Sequence, residues 1–157
     1  MVELPHYFIT WKCYGQHLPG DHRGWRKSVE GEQPPRPQLA RWTMDQLTES
    51  VVTLDTRQRH AVKYAIEQHA RVRDWILHAV SVRTTHVHIL VSCDVKPEKV
   101  REQFKANATR QIRQVTPDDA RVRWWARGGD TQFIKAVDLP LVYDYIMLAQ
   151  DRKSRDL

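Results

Sequence analysis

Trp75-Ile-Leu-His-Ala-Val-Ser-Val-Arg-Thr-Thr-His-Val-His-Ile-Leu-Val-Ser92 is the stretch on which the fold turns. Two short β-type runs, Trp75 to Val82 and Thr85 to Ser92, flank Arg83-Thr84, so they read as the arms of an antiparallel hairpin, although the turn lacks the favoured Asn-Gly chemistry. In the second arm His86, His88 and Leu90 share one face of the strand, while Val87, Ile89 and Val91 share the other. A strand with one apolar face and one imidazole-bearing face needs helices on the first side and leaves the second for something else.

Helices stand on both sides of this hairpin in sequence. Upstream, Asp55-Thr56-Arg57-Gln58 has capping-box spacing, and Ala61, Val62, Ala65, Ile66 and Ala70 recur at helical intervals, which predicts a helix over 56–72. Downstream, Pro97 suits a first helical turn, and Val100, Phe104, Ala108, Ile112 and Val115 form an apolar stripe flanked by Arg101, Lys105, Arg110 and Arg113. A first strand is expected over 6–14. Residues 15 to about 40, with Pro-Gly at 19–20 and Pro-Pro-Arg-Pro at 34–37, show turn residues without a period and read as one long loop. A further strand is expected near Thr131 to Lys135, after Trp124-Trp125-Ala126-Arg127-Gly128-Gly129. A last helix opens at Asp138-Leu139-Pro140 and runs to about Gln150, followed by a polar tail at 151–157. The sum is an α+β domain over 1–157: a ferredoxin-like, RRM-like antiparallel sheet with helices packed on one face.

Length and charge bound the function. At 157 residues the chain is too short for a TIM barrel, which needs about 250. No apolar run approaches the roughly 20 residues of a membrane span, and the start lacks a signal-peptide pattern, so no membrane association and a cytoplasmic location are expected. Cys13 and Cys93 read as buried free thiols rather than a disulfide or metal pair. The net charge is +6, and residues 96 to 127 hold nine Lys/Arg against four Asp/Glu, which concentrates nearly all of it in one fifth of the chain and favours a polyanionic partner.

His86 and His88, about 7 Å apart along a strand, can converge on one divalent ion, or can simply decorate a solvated sheet face. His78, on the partner strand, reads as a satisfied structural histidine. Lys105, Arg110 and Arg113 suit a phosphate backbone, Trp124 or Trp125 an unpaired base, and Arg127 a further phosphate; Arg23, in the long loop, is another DNA-contact expectation. Core tryptophans and a solvated helix face are the competing account of these residues.

The hydrophobic-His-hydrophobic-His strand, the basic helix after it, the Trp-Ala-Arg-Gly-Gly turn and a C-terminal helix with Tyr145-Ile146 together resemble the single-tyrosine HUH transposases, particularly the REP-associated group. The segment Thr10-Trp-Lys-Cys-Tyr-Gly-Gln-His-Leu-Pro-Gly-Asp-His-Arg-Gly-Trp25 looks like the opening of many such proteins, and the resemblance spans roughly residues 6 to 152. It implies a metal-dependent endonuclease and strand transferase acting on single-stranded or hairpin DNA through a 5′-phosphotyrosine. His86 and His88 would hold Mg²⁺ or Mn²⁺, and Tyr145 in Tyr-Ile-Met-Leu would be the nucleophile, with Tyr143 in reserve. The chain departs from the family where Ala149 replaces the Gln or Asn expected four residues after the tyrosine, and Gln150, one further, becomes the third-ligand assignment. Two rival readings keep the fold: a domesticated, catalytically inactive DNA-binding protein, and an RRM-like RNA binder, against which imidazoles rather than aromatics on the sheet argue. Monomer and homodimer both fit.

Overall fold

The computed structural model describes residues 3–27 and 29–149. In chain order they form β1 (His6–Lys12), β2 (Trp25–Lys27), β3 (Gly31–Gln33), α1 (Pro37–Asp45), α2 (Thr56–Arg73), β4 (Ile76–Val82), β5 (His86–Ser92), α3 (Pro97–Val115), β6 (Asp130–Ile134), a 3₁₀ turn (Ala136–Asp138) and α4 (Leu139–Asp144), which continues as a π-helical turn (Tyr145–Ala149). The main sheet has the order β4-β5-β1-β6, all pairs antiparallel. With the β2–β3 hairpin and α1 set aside, this is the ferredoxin-like βαββαβ arrangement, with β1 and β5 central.

Each long element forms for a local reason. Helix α2 is started by a complete capping box: Asp55 Oδ1 accepts from the Gln58 amide at 2.8 Å and Gln58 Oε1 from the Asp55 amide at 2.9 Å. It ends at Asp74, in the left-handed region at φ 59°, which turns the chain straight into β4. Helix α3 begins at Pro97, where the missing amide costs nothing. Ile9 and Trp11 of β1 and Val87, Ile89 and Val91 of β5 pack under Val62 and Ile66 of α2 and Val100, Phe104, Ala108 and Ile112 of α3. Cys13 and Cys93 are buried free thiols in this layer.

The two long helices cover one face of the sheet, and the short C-terminal helix covers part of the other. There Ile146 is 1% exposed and packs with Ala79, Leu90 and Ile134, bordered by Phe8, Leu139, Val142 and Met147. Leu90 is the reason: it shares the histidine face of β5 and needs an apolar cover, which α4 supplies.

Residues 15–40 are more ordered than a loop, since they contain the β2–β3 hairpin and the first turn of α1. Their conformation depends on Gly20, at φ 88°, where a Cβ would come within 2.5 Å of the Ala40 amide nitrogen and the Arg36 carbonyl oxygen. Only glycine lets the loop lie this close to the start of α1. The polar tail at 151–157 lies outside the described residues.

Candidate active site

β5 presents His86 and His88 on the face opposite α2 and α3, because the residues between and beyond them, Val87 and Ile89, are locked into the helix-covered core. The two rings lie with centroids 4.6 Å apart and planes at 76°. Thr85 Oγ1 is 3.0 Å from His86 Nδ1 and helps fix that ring. Register places Thr10 and Ser81 on either side of His88, and Lys12 beside His86. Phe8 meets His88 edge to face at 5.7 Å.

The buried Ile146 anchors the C-terminal helix on this face and thereby places its neighbour. The Tyr145 ring lies 6.2 Å from that of His88 and 6.1 Å from that of Phe8, with 37% of the residue exposed. Tyr143, two residues earlier and 43% exposed, makes no ring contact with the histidines among the described residues. Helical residues two apart project about 200° apart, so only one of the two can face the sheet. Gln150 lies outside the described residues.

His78 is a hydrogen-bonded histidine at the other end of the hairpin, in keeping with a satisfied structural role. A β-bulge between Leu77 and Ala79 turns it onto the Ser92 end of β5, where its Nε2 is 2.6 Å from Ser92 Oγ. Burial, and secondarily His6, push its pKa below the usual imidazole value.

Several basic and aromatic residues serve purposes other than those expected of them. Lys105 is 8% exposed: its ammonium donates to the carbonyls of Ala126 at 3.0 Å and Gly128 at 2.9 Å, with Glu102 at 3.7 Å, and burial pulls its pKa down. The amine therefore shapes the 126–128 turn and is not available to phosphate. Trp124 is 3% exposed beneath the Arg121 guanidinium, and so offers no face to a base. Trp125 spends its indole N–H on Thr109 Oγ1 at 2.9 Å and packs edge-on against Trp11. Arg23 forms a two-pronged pair with Asp21, Nε to Oδ1 and a terminal nitrogen to Oδ2, both at 2.9 Å, which holds the Asp21 carboxyl well below its usual range and neutralises the cation. Helix amphipathicity and strand composition are local signals; the environments of Lys105 and Trp125 are made by contacts with distant chain, whereas Arg23 is claimed by Asp21, two residues before it.

Lys105→Met is accordingly expected to lower stability by about 1–2 kcal/mol, because two turn carbonyls lose a charged donor. A reduced denaturant midpoint with unchanged slope checks this.

Arg110, Arg113 and Arg127 are exposed. Helix α3 lies across the sheet from the histidines, so Arg110 and Arg113 are not part of their cluster. Arg127 is closer: the Ala126 amide donates to the Lys12 carbonyl at 2.9 Å, and Gly129 lies so near β1 that a Cβ would come within 2.4 Å of the Thr10 carbonyl oxygen. The Trp-Ala-Arg-Gly-Gly turn thus runs along the edge of the strand that flanks the histidines. Lys12 itself was not legible as a site residue from sequence, since only the β1–β5 register brings it beside His86.

A ferredoxin-like sheet with paired imidazoles and a tyrosine facing them from a C-terminal helix defines a class, and comparison with known proteins agrees. The family model described as "Transposase IS200 like" matches residues 48–148, more than half of the chain. The chain belongs to the IS200-like transposase family. Among solved structures it is similar to a REP-associated tyrosine transposase bound to a REP hairpin, at 14% identity and TM-score 0.56, covering 97% of this chain and 70% of that one. It is also similar to a Deinococcus radiodurans R1 protein classed as a candidate transposase, at 12% identity and TM-score 0.53, covering 93% of this chain and 91% of the other. At these identities the likeness is one of fold. No curated protein matches the sequence. No helix among the described residues is long and apolar enough to cross a membrane.

Proposed function

We propose that this transposase-family chain is a metal-dependent endonuclease and strand transferase for single-stranded DNA, acting beside hairpins through a 5′-phosphotyrosine on Tyr145. The observation that carries the reading is the Tyr145 ring 6.2 Å from His88 on the histidine face of the sheet. The phenol oxygen attacks a backbone phosphorus, an O–P bond forms to the tyrosine, and the P–O3′ bond breaks. The phenol proton passes to solvent and the departing 3′ oxygen takes up a proton, leaving a free 3′-OH. The phosphotyrosine stores the bond energy, so rejoining to another 3′-OH needs no nucleotide cofactor.

His86 and His88 fit a divalent ion by their donor chemistry. Their rings sit side by side on one face, and a hydroxyl at His86 Nδ1 gives the ligating role to Nε2. Imidazole donors suit Mn²⁺ as well as or better than Mg²⁺. Such an ion supplies Lewis-acid withdrawal of charge from the phosphate. No third His, Cys, Asp or Glu joins the pair among the described residues. Gln150, which lies outside the described residues, is the proposed remaining ligand, on the family pattern of an amide side chain after the tyrosine.

Tyr145 meets His88 of its own chain, so one chain carries both groups. The hairpin-bound relative supports hairpin DNA as the partner. Arg110, Arg113 and Arg127 are the phosphate-contact set that remains exposed. Replacing each by Ala should flatten the log K against log[salt] slope by about 0.7 per single-strand phosphate contact, while Lys105→Met leaves the slope unchanged. Incubation of the chain with labelled single strands and hairpins in Mg²⁺ or Mn²⁺ tests the function itself. A protein–DNA adduct that survives denaturing electrophoresis is expected, and binding without an adduct would select the domesticated DNA-binding protein instead.

A further inference from the structure

Lys12 lies directly opposite His86 in the β1–β5 register, so its side chain leaves the sheet on the histidine face. Its ammonium contacts His17 Nδ1 at 3.3 Å, and among the described residues no carboxylate comes within 4 Å of it. His17 is held in turn. It occupies the left-handed region at φ 51°, and its Nε2 donates to the Gly24 carbonyl, which leaves Nδ1 as the acceptor for the lysine. A lysine aimed by the His17 imidazole, beside two metal-type histidines and with no carboxylate within 4 Å among the described residues, is a cation awaiting an anion. A divalent ion held by His86 and His88 would repel it unless an anionic group, such as a phosphodiester with its two non-bridging oxygens, lay between.

We propose that Lys12 binds a non-bridging oxygen of the scissile phosphodiester and stabilises the charge that builds on it during attack, with His17 as the positioning residue. This rests on the strand-transfer reading and adds a catalytic residue to it. A flexible lysine reaches one phosphate oxygen as a point charge, which leaves the other oxygen to the imidazole side of the site. The Gly15–Gly24 loop thereby becomes part of the cleavage apparatus, because it carries the histidine that aims the amine.

The test uses the full chain and the oligonucleotide on which the wild type forms its adduct, under single-turnover conditions. Lys12→Met is expected to slow adduct formation about 100-fold, the cost of removing one preorganised donor from a developing oxyanion, with oligonucleotide affinity and melting temperature nearly unchanged. Lys12→Arg should recover most of the rate. His17→Ala should slow the native lysine enzyme and have no further effect in the Lys12→Met background, a coupling that a structural role for His17 would not produce. Equal adduct rates for wild type and Lys12→Met overturn the assignment of Lys12 alone. A rate loss fully matched by lost affinity makes Lys12 a ground-state contact and also overturns it. Failure of the wild type to form any adduct removes the strand-transfer reading and the Lys12 assignment together.

Discussion

Tyr145→Phe is expected to fold as the native chain does and to form no covalent DNA adduct, whereas Tyr143→Phe should keep forming one. The substitution removes one oxygen and keeps the ring, so the packing against Phe8 and His88 persists and stability changes by well under about 1 kcal/mol. Chemistry has no such tolerance, because on the proposed mechanism the deleted oxygen is the atom that bonds to phosphorus; the expected loss is complete, not fractional. Tyr143 is the internal control. It has the same chemistry on the same helix, yet it projects about 200° away from Tyr145 and makes no ring contact with the histidines among the described residues. Peptide mapping of the adduct separates the outcomes: DNA on Tyr145 supports the assignment, and DNA on Tyr143 would require the helix to rotate on its Ile146 anchor, which is 1% exposed.

The parts of this architecture that were legible in sequence are those written in periodic form. Val87, Ile89 and Val91 alternate with His86, His88 and Leu90, which sets both the strand and the face on which the imidazoles stand. The apolar stripes of α2 and α3 likewise give helix limits within a residue or two of those observed. Helix α1 escaped because it buries none of its side chains, and β2 and β3 because three residues are too few to show an alternation. Lys105 was misread for a different reason. It sits beside Phe104 at the border of the apolar stripe, and what dries it is the 126–128 turn, folded back from twenty residues away. The π turn over Tyr145–Ala149 has no sequence signature either. Lys12 depends on the β1–β5 register, a contact across more than seventy residues, and on a histidine in a loop whose conformation glycines determine.

On the proposed mechanism, His86 and His88 carry the second large effect. His86→Ala and His88→Ala should each weaken Mn²⁺ binding by more than about 100-fold, since loss of a direct ligand must exceed the 10- to 100-fold typical of losing an outer-shell partner. Cleavage should disappear at metal concentrations that saturate the native chain. Both proteins should remain folded, because the histidine face of β5 lies away from the main core and its strand is secured by Val87, Ile89 and Val91, all fully buried. The variants are not equivalent in packing: His88 contacts both Phe8 and Tyr145, so its removal costs about 1 kcal/mol and loosens the tyrosine, whereas the ring that His86 meets is that of His88. His86→Ala is therefore the cleaner probe of the ion. Gln150→Ala completes the set, with weaker metal binding expected and adduct formation lost in the same proportion. Metal titration followed by Mn²⁺ spectroscopy, run beside oligonucleotide binding in metal-free buffer, distinguishes the causes. Native DNA affinity with lost metal binding places the ion on His86 and His88, whereas unchanged metal binding in both histidine variants would move the ion elsewhere and leave Tyr145 without the charge withdrawal that makes a phenol a competent nucleophile at phosphorus.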